Sequence, residues 1–181
     1  RRLEREGHVV SCAANGREAL ELTRDRRPDL ILLDILMPEI DGFEVLRRLK
    51  QSADTRDIPV IMISALDDLD SVVRCIEQGA EDHLTKPFDP VLLRARINAS
   101  LEKKRLRDRE REYLDEVKAI AQAAGAVEDG RYEPATLART AMRSDELGRL
   151  ARVFDGMAAE VKAREDRLRR EVSGLRRDIE N

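Results

Sequence analysis

Two short runs in this sequence are apolar at every position: Leu30-Ile31-Leu32-Leu33 and Val60-Ile61-Met62-Ile63. A strand with one wet face alternates polar and apolar residues. Runs like these fit only where both faces are covered, in the middle of a parallel sheet with helices on each side. Amphipathic stretches at 17–26, 43–50, 69–78 and 90–100 supply those helices, alternating with short runs at 8–12, 30–34, 59–64 and 83–85. That rhythm predicts right-handed βαβ units and an α/β fold built on a parallel sheet.

After Ala99 the strands stop. From Leu101 onward the chain is rich in Arg, Glu, Ala and Leu with helical periodicity, interrupted by Pro134. Charged residues make up 39% of the 181 and aromatics only 3%, a balance that suits long solvated helices and coiled coil. A hydrophobic fraction of 41% is too high for disorder throughout. Lys and Arg number 34 against 37 Asp and Glu, a net charge of −3, which gives no strong preference for nucleic acid or an anionic membrane. The longest apolar stretch, residues 30–38, is broken by Asp34, whereas a membrane-spanning helix needs about 20 residues. No span is expected. Cys12 and Cys75 cannot build a secreted disulfide framework, and without a signal-peptide pattern they point to the cytoplasm.

Ligands of an open parallel sheet sit outside the carboxyl ends of its strands. Asp34, Ser64 and Lys86 occupy three such ends, so a carboxylate, a hydroxyl and an ammonium share one rim. A carboxylate can attack a phosphoryl group, a lysine can neutralise its oxygens and a hydroxyl can donate to one of them. Singly, each has a structural reading: Asp34 starts a turn, Ser64 caps a helix, Lys86 lies in a loop. Together at successive strand ends they point to phosphoryl chemistry.

The residues around them carry a family resemblance. Leu32-Leu33-Asp34-Ile35-Leu36-Met37-Pro38-Glu39-Ile40-Asp41-Gly42-Phe43-Glu44, then Pro59-Val60-Ile61-Met62-Ile63-Ser64-Ala65, Gly79-Ala80-Glu81-Asp82 and Leu84-Thr85-Lys86-Pro87-Phe88 resemble the receiver domain of two-component response regulators. The resemblance implies a flavodoxin-like, doubly wound parallel sheet over residues 1–100. It implies that Asp34 is the phosphoacceptor, Ser64 the switch hydroxyl and Lys86 the phosphoryl-stabilising lysine, with Pro87 after a cis bond. A sensor histidine kinase would be the phosphodonor. The family's switch aromatic on the last strand is here His83. Receivers also open with a strand that ends in an acidic pair holding Mg²⁺. No such pair precedes His8, so of the expected ligands only Asp34 and the backbone carbonyl of Leu36 are present. Residues 1–7 look like the last turns of the family's first helix. The expectation is a receiver lacking its first strand through truncation, with a receiver that genuinely has no metal site as the alternative.

The second half has its own signature. Leu114, Val117, Ala121 and Ala124 form a narrow seam, and the helix carrying it is expected to end at Gly130. A connector over 131–144 follows, with Tyr132 and Leu137 pointing inward. A second helix opens at Asp145-Glu146-Leu147-Gly148, and its seam of Leu147, Leu150, Phe154, Met157 and Val161 has coiled-coil spacing. Helix, glycine, connector, Asp-Glu-Leu-Gly and a helix with Phe154 and Met157 resemble a HAMP domain over residues 117–163. That resemblance implies a parallel homodimer of four helices, with Gly130, Asp145, Glu146, Gly148, Phe154 and Met157 as its marker residues. The alternative is a plain helical hairpin. Asp145 and Glu146 suit a helix N-terminus, where acids favour the dipole and cap free amides.

Residues 101–116 are expected to be a helical linker, and 164–181 a coiled-coil extension in which Leu168, Val172, Leu175 and Ile179 continue the seam with a stutter. The arginines at 164–170 are interleaved with Glu165 and Asp166 and lack aromatics, a solvated face more than a nucleic-acid patch. His8 and His83 show no ligand spacing, and the cysteines no CxxC pair. Two functional classes remain: a non-catalytic phosphorelay module, or the regulatory part of a cyclase, phosphatase or kinase whose catalytic domain lies beyond Asn181.

Overall fold

The all-apolar runs become the centre of a three-stranded parallel sheet. A computed structural model describes residues 2–65 and 69–179; for Arg2, Pro134, Ala135 and 175–179 it describes the backbone alone. Leu175 and Ile179 of the expected seam therefore lie outside the described side chains. Chain order is α1 (Arg2–Arg5), α2 (Gly16–Arg26), β1 (Ile31–Asp34), α3 (Gly42–Gln51), β2 (Val60–Ser64), α4 (Leu69–Glu77), β3 (Asp82–Thr85) and α5 (Pro90–Glu128). A 3-10 turn (Pro134–Leu137), α6 (Ala138–Ala141) and α7 (Glu146–Ile179) follow. Two compact units divide the chain, one through Asp108 and one from Arg109.

In the first unit the strands lie in the order β1-β2-β3, with Asp34 opposite Ile63 and Ser64 opposite Thr85. Every residue of β2 is buried, as an all-apolar central strand requires. Period two splits the core. Val60 and Met62 pack with Leu33, Val45, Leu46, Leu49 and Cys75 on one side, while Ile61 packs with Leu84 and Ile97 on the other. Helices therefore cover both faces.

One expectation fails. Residues 8–12 form no strand, and Val9 is 97% exposed. A strand exists only as part of a ladder, and among the described residues β1 pairs with β2 alone. Without a neighbour, β-branched residues gain nothing from extension.

The second unit is helical. α5 ends at Glu128 and Gly130 takes φ +66°. Within the connector, Pro134 opens a 3-10 turn that runs into α6, since proline suits a first helical position. Tyr132 and Leu137 point inward as expected, 8% and 0% exposed, and pack with Ala123, Ala151 and Ala158. At the start of α7 a Cβ on Gly148 would stand 2.1 Å from the carbonyl oxygen of Arg143, so only glycine lets the connector pass there. Among the described residues, no helix is long and apolar enough to cross a membrane.

Candidate functional site

Asp34 ends β1 because the apolar run stops there, and its carboxylate emerges at the carboxyl edge of the sheet. One oxygen is held by the Lys86 ammonium, fifty-two residues away in sequence, and the other accepts the Leu36 amide hydrogen at 3.2 Å. Asp34 and Lys86 remain about two-fifths open to solvent, their side chains 36% and 42% exposed. Ser64 ends β2 between them, fully buried, and its carbonyl accepts the Lys86 amide hydrogen at 2.6 Å. The Lys86–Pro87 peptide is cis. The structure thus brings Asp34, Ser64 and Lys86 to adjacent strand ends.

His83 pairs with Met62 inside the sheet, two residues before Thr85. It is partly buried, and its Nε2 is enclosed with no hydrogen-bond partner among the described residues. Leu36 is 63% exposed beside the carboxylate.

Two residues that shape this edge were quoted above only within the motif. A Cβ on Gly42 would stand 2.2 Å from the Asp34 carbonyl oxygen, so glycine lets α3 begin directly against the end of β1. Asp41 caps that helix by accepting the Glu44 amide hydrogen at 2.8 Å. Glu44 in turn binds Arg47 and Arg48, whose hydrogen bonds hold its carboxyl down at about 2. An aspartate followed three residues later by glutamate is a helix-start signal readable in the sequence.

A Mg²⁺ ion needs about six oxygens in near-octahedral order and keeps one or two carboxylates among them. Around Asp34 the described residues offer that single carboxylate, engaged by Lys86, and the Leu36 carbonyl. Among the described residues no group of three His, Cys, Asp or Glu could hold a metal. These residues by themselves do not fit the ion.

The marker residues of the second half lie in the second unit. Asp145 accepts the Gly148 amide hydrogen at 3.2 Å and is gripped by Arg143 at 2.6 Å. That guanidinium first, and the amide second, hold the Asp145 carboxyl down at about 2. Glu146 stands in the first turn of α7. Phe154 meets Tyr132 edge to face, centroids 5.6 Å apart, and the Tyr132 hydroxyl is bonded to Asp155. Burial first, then Asp155, pushes that phenol up to about 12. Met157 points outward, 54% exposed.

An open parallel sheet covered by helices, with a carboxylate gripped by a lysine from another strand end, is the arrangement that the comparisons with known proteins identify as a signal receiver. The chain belongs to the response regulator receiver domain family, whose model matches residues 1–98. It is 46% identical over 99 residues to the transcriptional regulatory protein AfsQ1 of Streptomyces coelicolor, covering 55% of this chain and 43% of that one. It is 46% identical over 98 residues to the response regulator PleD of Caulobacter vibrioides, covering 54% of this chain and 22% of PleD. The chain thus spans less than half the length of either. Among solved structures, the signal receiver domain of a histidine kinase from Syntrophus aciditrophicus is 44% identical with a TM-score of 0.52, covering 56% of this chain and 76% of that one. The receiver domain of NtrX from Brucella abortus is 33% identical with the same score, covering 55% and 83%.

Proposed function

We propose that Asp34 takes a phosphoryl group from the phosphohistidine of a sensor kinase and that the second unit, as a parallel HAMP-like homodimer, carries the resulting change onward. The pairing of Asp34 with Lys86 across two strand ends supports this reading more than any other observation. A carboxylate oxygen attacks phosphorus, an O–P bond forms as the N–P bond breaks, and the leaving imidazole takes up a proton. Lys86, released from the free carboxylate, then neutralises the phosphoryl oxygens. The Ser64 hydroxyl turns toward one of them, with His83 as the second moving side chain of the switch.

The dimer reading draws on apolar residues that the single chain leaves outside: Leu114 and Val117 on α5, and Leu150, Met157 and Val161 on α7, each 40–54% exposed. The long helix from Pro90 contains no proline after its first residue, so a tilt or rotation can pass along it. On this reading residues 1–100 receive, 101–116 link, 117–163 form the HAMP-like dimer and 164–181 extend its coiled coil. The module works in the cytoplasm, without binding nucleic acid. The alternative, the regulatory part of a larger signalling enzyme, makes the same demand of Asp34.

Labelling with a radioactive phosphodonor tests the proposal. The wild-type chain should acquire an acid-stable, base-labile phosphoryl group, and Asp34→Asn should acquire none. Label persisting in the Asn variant overturns it.

A further inference from the structure

Glu116 is a buried acid on a helix whose other charged residues face water. It lies on the part of α5 within the second unit, its side chain 9% exposed, and its Oε2 is enclosed with no hydrogen-bond partner among the described residues. A carboxylate taken out of water ordinarily finds donors for both oxygens, because an unpaired buried charge is costly. A cation stands just short of it: Arg143 Nη1 is 3.8 Å from Oε1. The rest of that guanidinium is turned to Asp145, with Nε at 3.0 Å and Nη2 at 2.6 Å. Asp145 in turn accepts the Gly148 amide hydrogen in the first turn of α7. Arg139 takes Glu112, one turn earlier on α5, at 3.3 Å, which leaves Arg143 to Glu116 and Asp145.

We propose that Arg143 is a two-position latch between α5 and α7. It holds Asp145 in the state described here and moves to Glu116 in a second state, loosening the cap at the start of α7. The two states are close in energy because each satisfies one carboxylate at the expense of the other. Asp145 is 38% exposed, so on release it takes water in place of the guanidinium, whereas Glu116 has no such recourse. The movement is small. A charge-assisted bond spans about 2.7–2.9 Å, so α5 need approach by only about 1 Å, a shift of the size by which helices move in switching proteins.

The backbone beneath Arg143 stays where it is. Its carbonyl accepts from Arg152 at 3.0 Å and lies against Gly148, where even a Cβ would stand 2.1 Å away. Only the side chain has to swing. The trigger rests on the relay reading above, in which a displacement arrives along α5.

Amide hydrogen exchange at Gly148 in the full chain tests the latch. Glu116→Gln keeps the shape and removes the charge, so Arg143 stays on Asp145. Exchange at Gly148 should slow about tenfold, the least that loss of a charged partner for the second position brings, and the helical transition should melt no earlier than in wild type. Unchanged exchange, or faster exchange with an earlier transition, makes Glu116 an ordinary structural partner and overturns the latch. A phosphodonor then tests the trigger. With label verified on Asp34, Gly148 should exchange faster than in unlabelled wild type, and Glu116→Gln should abolish the increase while still taking label. Equal exchange in labelled and unlabelled wild type overturns the latch as the reader of α5. Failure of Asp34 to take label overturns the phosphorylation reading instead, and the unlabelled comparison still decides the latch.

Discussion

The two units bury different kinds of residue. The first is built on Leu33, Val45, Leu46, Leu49, Ile61 and Met62, none more than 2% exposed, around a strand with no open face. The second has at its centre Ala123, Ala151 and Ala158 with Leu137 and Tyr132, while Leu114, Leu150, Val153, Met157 and Val161 stay 45–55% exposed. Large aliphatic side chains on two sides of a sheet remove enough apolar area to hold a fold, at roughly 25 cal/mol per Å². Helices joined through alanines come close but gain less. The first unit therefore closes its core around β2 within one chain, and the second leaves large apolar side chains outside, the surface that the proposed dimer would cover.

Four substitutions test that contrast. Leu46→Ala, in the fully buried face of α3, should cost about 2–5 kcal/mol and lower the receiver's unfolding midpoint at every protein concentration. Phe154→Ala should cost about 3 kcal/mol, the low end for a phenylalanine because the ring is only partly buried, and its effect should deepen on dilution. Sedimentation should show the variant shifted toward monomer. A Phe154→Ala effect independent of concentration would mean that the second unit is as self-sufficient as the first.

Tyr132→Phe keeps the edge-to-face ring contact and removes the bond to Asp155, leaving that acid without its partner at a cost of about 1–3 kcal/mol. Calorimetry should place the loss in the helical transition alone. Smallest is Asp145→Ala. The Asp145 carboxyl lies lower in the folded state, about 2 against an ordinary 3.8, so its contribution is complete above 3.8 and is lost as pH falls toward 2. Below pH 2 wild type and variant should melt together; above pH 4 the variant should melt a little earlier.

The rim of the sheet was legible because apolar runs end abruptly: Leu33 gives way to Asp34, Ile63 to Ser64, and Lys86 follows Thr85. The central strands were legible for the same reason, since a fully apolar run has one solution. Residues 8–12 misled, because β-branched composition describes a willing strand and says nothing about its neighbour. The charged stretch after Ala99 read as a solvated rod, yet Lys103 and Arg107 reach back to Glu81, an acid 12% exposed whose carboxyl burial would raise but whose two cations bring it down. Charge patterning along a helix cannot reveal a partner on another element. The seam of Leu114, Val117, Ala121 and Ala124 faces outward, while Ala123 turns into the unit's own core. Small residues on several sides of a helix leave its inner face undetermined by period alone.

On the proposed relay, the state of Asp34 is read in the second unit. Chains carrying Met157→Cys in the Cys12→Ser background, labelled with a phosphodonor and left unlabelled, should differ in crosslinking yield in proportion to the phosphoryl content of the same samples. The difference should vanish in Asp34→Asn. Equal yields from labelled and unlabelled protein, with phosphoryl content verified, would mean that the second unit does not respond to Asp34.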